Sequence, residues 1–563
     1  MDCLFHLKGE GRMTRLLQGL DLWRAGVLIV AVVLAVPVLT VIGFLLQPSG
    51  EVWEHLLATV LEGYVINSLL LVAGVGFGVL NLGVATAWVT SLCEFPGRRL
   101  FEWTLLLPMA MPAYIIGYTY TGLFDVAGPV QSSLRGWFGW HYGDYWFPQI
   151  RSMGGAIVML SLVLFPYVYL FARAAFLGQS VCVLEVSRTL GYGPWRSFFS
   201  VALPLARPAV VAGMSLAMME ALADYGTVHY FGLSTLTTGI FRTWFGLGDV
   251  AAAAQLAALM LGVVFALVLL ERGSRRRARY HHTSARYRRL PRYRLRTAPA
   301  LSAFFVCFVP LFFGFLLPAV QLLVWGLQTA ARMIDADFAL LVFHSVMLAA
   351  GAALMVLLPA LFLAYGKRLR PFRDVAVAVR IAAMGYAVPG IVIAVGVMIP
   401  LAWLDNTLDH WLRTSFGVST GLLLSGTLFA LLFAYLVRFL AVALQAVESG
   451  LGKIRPSMDE AGRSLGHRPL ALLRRVHMPV MGGSVLTAQL LVFVDVLKEL
   501  PATLVLRPFN FNTLAVRAFE LASDERLADS SSAALAIVAA GIIPVVVLSR
   551  SIARSRPGHD ETA

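Results

Sequence analysis

The feature that most limits what this chain can become is a succession of apolar runs. Each is about 20 residues long, enough to cross the hydrocarbon core of a bilayer as one helix. They fall near 25–46, 66–90, 101–123, 153–176, 207–231 and 250–270, and, beyond a basic linker, near 300–328, 340–365, 378–403, 419–443, 483–506 and 531–549. With 59% hydrophobic and 13% charged residues and a mean hydropathy of +0.77, an ordinary soluble fold is excluded. The sequence predicts an all-α polytopic membrane protein with about twelve transmembrane helices, embedded in the lipid bilayer.

A net charge of +14 in a soluble chain would suggest nucleic acid. Here the arginines sit in short loops between apolar runs, the positive-inside pattern, so no nucleic-acid partner is expected. Loops assigned to the inside hold Arg98 and Arg99, then Lys367, Arg368, Arg370 and Arg373, and eleven arginines lie between Arg272 and Arg296. Loops assigned to the outside are acidic or nearly neutral: one carries Glu51, Glu54 and Glu62, another Glu520, Asp524, Glu525 and Asp529 against Arg517 and Arg526. The first run is preceded by Lys8, Arg12, Arg15 and Arg24 and ends without a small-residue cleavage site, so it reads as a signal anchor. An even number of spans then leaves both termini in the cytoplasm. The linker, 272–298, is expected to lie against the anionic inner leaflet. Cys3, Cys93, Cys182 and Cys307 have neither metal-ligand spacing nor a disulfide framework, and no metal ligands are identified.

One polar stretch occurs twice. Residues 185–204 read EVSRTLGYGPWRSFFSVALP and residues 460–479 read EAGRSLGHRPLALLRRVHMP, with Glu, Arg, Leu, Gly, Pro, Val and Pro in register at an offset of 275 residues, from Glu185 to Glu460. In each copy the Glu is expected to begin a short helix. Gly191 or Gly466 then takes the left-handed conformation of a helix end, and Pro194 or Pro469 starts a second helix. Ser457 stands three residues before Glu460, the spacing of a capping box. Asn67-Ser68 and His344-Ser345 match as well, as do Met111-Pro112-Ala113 and Val388-Pro389-Gly390, at an offset of 277. The two halves thus read as parallel repeats of six spans.

These paired elbows resemble the cytoplasmic coupling loop of bacterial ABC-importer permeases, in which a Glu-Ala-Ala start is followed six residues on by Gly and thirteen further by Pro. The first copy departs from that pattern at Val186 and Ser187, the second at Gly462. The resemblance covers nearly the whole chain and implies a fused, two-repeat permease of the binding-protein-dependent type, with a type I ABC importer fold. It implies that Glu185, Gly191, Pro204, Glu460, Ala461, Gly466 and Pro479 engage two copies of an ABC ATPase. An external or periplasmic substrate-binding protein would deliver the cargo, and the site would be the bacterial inner membrane. The domains follow: 1–62 with the first helix, 63–271 as the first permease domain, 272–298 as linker, 299–338 with helix 7, 339–550 as the second permease domain and 551–563 as tail.

The chain has no GxxxxGK[ST] phosphate loop and no nucleophile–base constellation, so it is expected to be a transporter subunit with no catalytic residues, ATP being hydrolysed on another polypeptide. Carboxylates inside apolar runs are costly and tend to face a pathway or one another. Glu220 and Asp224 stand four apart on the fifth span, Asp495 and Glu499 four apart on the eleventh at the same 275 offset, so each pair is expected on one helical face. They are candidates for the substrate pathway, or else braces between helices. Residues 111–131, 235–246 and 495–520 resemble the fused permeases of ferric-iron importers, whose hard cargo suits oxygen ligands. Thiamine and polyamine permeases share the architecture, and an ATP-independent secondary transporter remains the alternative of a different class.

Overall fold

The computed structural model describes residues 22–48, 50–179, 187, 189–276 and 292–554. Among these, eleven helices are long and apolar enough to cross a membrane, and a bent pair makes a twelfth. The twelve coincide in order with the apolar runs. The departures are at helix breaks, where an apolar run is silent about direction. The run 101–123 is not one helix: Arg98–Ala110 and Ala113–Phe138 meet at 90°. Pro112 occupies the break with extended backbone, φ −59° and ψ 141°, since proline donates no hydrogen bond and pushes the residue before it out of helical geometry. The equivalent run, 378–403, breaks at Val388-Pro389, between the turn Ala383–Ala387 and the helix Gly390–Phe416.

The chain forms two compact units that interleave along the sequence: residues 1–40, 348–386 and 396–496 in one, and 41–347, 387–395 and 497–563 in the other. In the first unit, the N-terminal helix Leu22–Gly43 packs on the second repeat. Trp23 stacks on Phe362 at 5.3 Å, and Arg24 pairs with Asp374 at 2.7 Å. A Cβ on Gly396 would overlap the Pro37 carbonyl, which is why a glycine is needed at that crossing. In the second unit, the helix opening the second repeat, Thr297–Met333, packs on the first repeat. Phe304 meets the Phe101 ring edge-on at 5.2 Å, and the Tyr120 hydroxyl donates to the Phe313 carbonyl at 2.5 Å. Each repeat therefore lends its first helix to the other.

The repeat is also visible in individual bonds. Ser68 accepts the Leu236 amide at 2.9 Å and opens the helix Leu236–Phe241. Ser345 accepts the Leu514 amide at 2.8 Å and opens Leu514–Ser523. Arg98, read from the sequence as a loop charge, is buried and paired with Glu94 at 3.2 Å and with Glu102. The far end of the basic linker is tied down: Tyr293–Arg294 form a two-residue parallel bridge with Cys93–Glu94, and Arg292 reaches Glu94 at 3.3 Å. Residues 277–291 of that linker lie outside the described residues.

Candidate functional site

Both elbows have the turn that their glycines require. Gly191 and Gly466 sit at φ +76° and +79°, in the left-handed region, where residues other than glycine pay a steric cost. Around the second, the Gly466 amide donates to the Arg463 carbonyl at 3.0 Å and the His467 amide to the Gly462 carbonyl at 3.1 Å, closing the helix Pro456–Ser464. Pro194 and Pro469 head the short helices Pro194–Ser197 and Pro469–Leu472, as their fixed φ favours. The capping box expected at Ser457 does not form. The helix begins at Pro456, four residues before the Glu460 start that the sequence predicts, and Arg455 at its N-cap makes no side-chain cap. Glu460 and Ala461 are exposed on this helix; Glu185 lies outside the described residues.

Each elbow enters its membrane helix through a π-helical turn, Phe198–Ala202 in one repeat and Leu473–His477 in the other. The cause is shared. Pro204 and Pro479 have no N–H to continue the i→i−4 ladder, so the preceding amides of Leu203 and Met478 reach back five residues to Phe198 and Leu473.

The interior of each elbow is a matched pair of side chains. In the first, the buried hydroxyls of Ser187 and Ser197 lie 2.5 Å apart. In the second, the equivalent positions hold Gly462 and Leu472, and a Cβ on Gly462 would overlap the leucine side chain. This explains the departure at Gly462 from the pattern the elbow otherwise keeps. Gly462→Ser is expected to destabilise the second elbow by about 1–3 kcal/mol through overpacking. Adding Leu472→Ser restores the serine pair and should recover most of that loss, as read by limited proteolysis of the loop.

Sequence reasoning missed two features. Leu190 and Leu465, 65% and 77% exposed, and Trp195 and Leu470, 72% and 60% exposed, form an equivalent pair of bare apolar side chains on each elbow. Their register within the repeat was the available signal. The second is a charged hub in the second elbow. Asp459 accepts from Arg368 Nε at 2.7 Å and bonds His477 Nε2 at 2.6 Å. Arg368 also donates to the Leu451 and Ile454 carbonyls at 2.6 and 2.9 Å. The Tyr365 hydroxyl donates to the Pro469 carbonyl at 2.8 Å. Burial, the largest influence on the Asp459 carboxyl, pushes its pKa up. The bonds from Arg368 and His477 outweigh it and hold the group below its ordinary value.

The four membrane carboxylates do not form two same-face pairs. The fifth-span helix ends at Ala223, and Asp224 lies beyond it in extended backbone. The eleventh-span helix ends at Leu497, before Glu499. Glu220 and Asp495 are thus on helices, while Asp224 and Glu499 cap the short helices that follow. Asp224 accepts the Thr227 and Val228 amides at 2.9 and 3.3 Å and the Thr227 hydroxyl at 3.1 Å. Glu499 accepts the Ala502 and Thr503 amides, each at 3.0 Å, and the Thr503 hydroxyl at 2.6 Å. A helix broken inside a membrane needs such partners for its freed backbone groups.

Residues 80–280 match the family described as binding-protein-dependent transport system inner membrane component. The chain is 26% identical over 494 residues to the Fe(3+)-transport system permease protein FbpB 2 of Haemophilus influenzae, covering 86% of this chain and 89% of that protein. It is 32% identical over 152 residues to the molybdenum transport system permease protein ModB of Escherichia coli, covering 27% of this chain and 63% of ModB. The match to the sulfate transport system permease protein CysT of Escherichia coli is 28% over 206 residues, 36% of this chain and 71% of CysT. The chain is thus a multi-pass helical membrane protein with a duplicated elbow, similar at residues 80–280 to binding-protein-dependent inner-membrane components and over most of its length to an Fe(3+) permease.

Proposed function

We propose that this permease forms the passage of an ATP-driven importer for ferric iron and is driven by two copies of a separate ATPase docked on its elbows. The observation that carries the substrate is the relationship to the Haemophilus influenzae Fe(3+) permease, which extends over 86% of this chain and 89% of that protein, whereas the molybdenum permease match stops at 27% of this chain. Four carboxylates at or beside membrane helices point the same way, because Glu220, Asp224, Asp495 and Glu499 favour a hard cation and disfavour an oxyanion. In this reading they face the passage during the cycle, and Asp224 and Glu499 also cap their helices. The paired apolar side chains Leu190 with Trp195 and Leu465 with Leu470 supply the docking contacts, one set per ATPase copy. An external binding protein delivers the iron, and the arginine-rich loops keep the elbows and both termini in the cytoplasm.

The test is ATP-dependent uptake by proteoliposomes holding the permease with its ATPase and binding protein, offered Fe(III), molybdate or sulfate in turn. Accumulation of Fe(III) alone is expected; accumulation of either oxyanion in its place would overturn the substrate. A second measurement addresses the carboxylates. The pair Glu220→Gln and Asp495→Asn should reduce Fe(III) uptake per inserted permease by about tenfold or more with little change in its amount. Asp224→Asn and Glu499→Gln should also lower the amount of folded protein, each weakening a helix cap worth about 1 kcal/mol. Unchanged uptake per molecule in the fourfold neutral variant would remove these residues from the pathway.

A further inference from the structure

Two tyrosines on the helix Ala113–Phe124 are placed at a cost that packing does not explain. Tyr114 and Tyr118 are 4% and 2% exposed, and neither hydroxyl has a hydrogen-bond partner among the described residues. An unsatisfied buried hydroxyl costs on the order of 1–3 kcal/mol. The repeat shows that the position does not need one. At the 277 offset set by Pro112 and Pro389, Tyr114 corresponds to Ile391 and Tyr118 to Val395, both buried to 1% exposure. The same place in the fold is thus filled by plain hydrocarbon in the second repeat.

The Tyr114 side chain starts where the two capped helix breaks come together within one unit. A Cβ on Gly226, just after Asp224, would stand 2.6 Å from the Tyr114 Cβ and 2.9 Å from Leu500 Cδ2, the residue after Glu499. Tyr114 therefore sits against both breaks. Its ring is 5.8 Å from that of Tyr118, which meets Tyr230 edge-on at 4.6 Å. The carboxylates whose charge acts on Tyr114 are Glu499 and Asp224, and Asp224 also acts on Tyr118. Asp224 accepts three hydrogen bonds on a carboxylate with about four lone-pair positions. The donor atoms of these side chains are all oxygens and two of the groups are carboxylates, a set suited to a hard cation.

We propose that Tyr114, Tyr118 and Asp224 form an oxygen-donor site that takes the trivalent metal substrate in transit, with Glu499 adding negative charge beside it. This rests on the ferric-iron reading above. Each phenol that ligates exchanges its O–H bond for an O–metal bond and releases the proton to water, and no oxidation state changes.

The experiment compares wild type with Tyr114→Phe, Tyr118→Phe and the double variant, each assembled with its ATPase and binding protein and offered Fe(III)-citrate. Phenylalanine keeps the ring and removes only the donor, so insertion should be retained. The double variant should lose at least about tenfold in uptake per inserted permease, the range seen when support for a metal ligand is removed. Independently, the assembled wild type loaded with Fe(III) should show a visible phenolate-to-iron charge-transfer band, weakened in each single variant and absent from the double variant. Wild-type Fe(III) uptake with an equal rate or an equal band in the double variant overturns this site and leaves the iron reading standing. Failure of the wild type to import Fe(III) overturns both.

Discussion

A permease carrying Gly191→Asp and Gly466→Asp together is expected to reach the membrane at wild-type levels and to import nothing above background. Both glycines are exposed at the elbow tips, and a Cβ at either would meet no atom within 4 Å, so nothing in the interior is disturbed. The backbone, at φ +76° and +79°, would strain a side-chain-bearing residue by about 1–2 kcal/mol. A larger effect comes from the surface. The new carboxylate would stand one residue from Leu190 or Leu465, on the apolar face proposed to dock on the ATPase, where an unpaired buried charge costs about 2–5 kcal/mol. Each 1.4 kcal/mol is about tenfold in affinity, so two weakened contacts leave little assembled transporter. Membrane level by blot and ATP-dependent uptake check the outcome together. Retained uptake in the double variant would remove the elbows from coupling.

The second large effect is expected at Asp459. Replacing it with Ala leaves the Arg368 guanidinium, 17% exposed, and the fully buried His477 ring without their shared acceptor. Breaking one partner out of a buried pair costs about 3–5 kcal/mol, so the second elbow should become protease-sensitive and uptake should fall with it. The first repeat has Leu184 and Ala202 at the equivalent positions, so its elbow should be unaffected. The pH dependence has a definite sign. The Asp459 carboxyl is held below its ordinary 3.8, so its contribution is complete above that value and disappears only as the pH falls through the lower folded one. Across physiological pH the Asp459 carboxylate should therefore stay charged and keep its bond to Arg368.

The membrane architecture was legible because a span must be apolar over its whole length, and the elbows because their Gly and Pro are demanded by backbone geometry. What the apolar runs conceal is where they bend. The run 207–231 contains the helix end at Ala223 and a second short helix, Gly226–Tyr230. Hydropathy treats both alike, so the four-residue spacing predicts Asp224 on one helical face with Glu220, whereas it lies beyond the helix as a cap. The signal was present in Asp224-Tyr225-Gly226 and in Glu499-Leu500-Pro501, where an acid precedes a helix-starting Gly or Pro. The hub was out of reach for another reason: Asp459, Arg368 and His477 are joined across 91 and 18 residues, distances at which local pattern carries no information.

The reciprocal loan of first helices sets a schedule for biosynthesis. Arg24 pairs with Asp374, 350 residues further along the chain. At the usual 5–20 residues per second, the ribosome needs about 20–70 s to produce that partner after the first helix has entered the bilayer. For that interval Gly26 and Pro37 stay uncovered, and their final neighbours, Phe362 and Gly396, arrive only when most of the protein has been made. Joining both repeats in one polypeptide keeps the waiting helix within reach of its partner until translation supplies it.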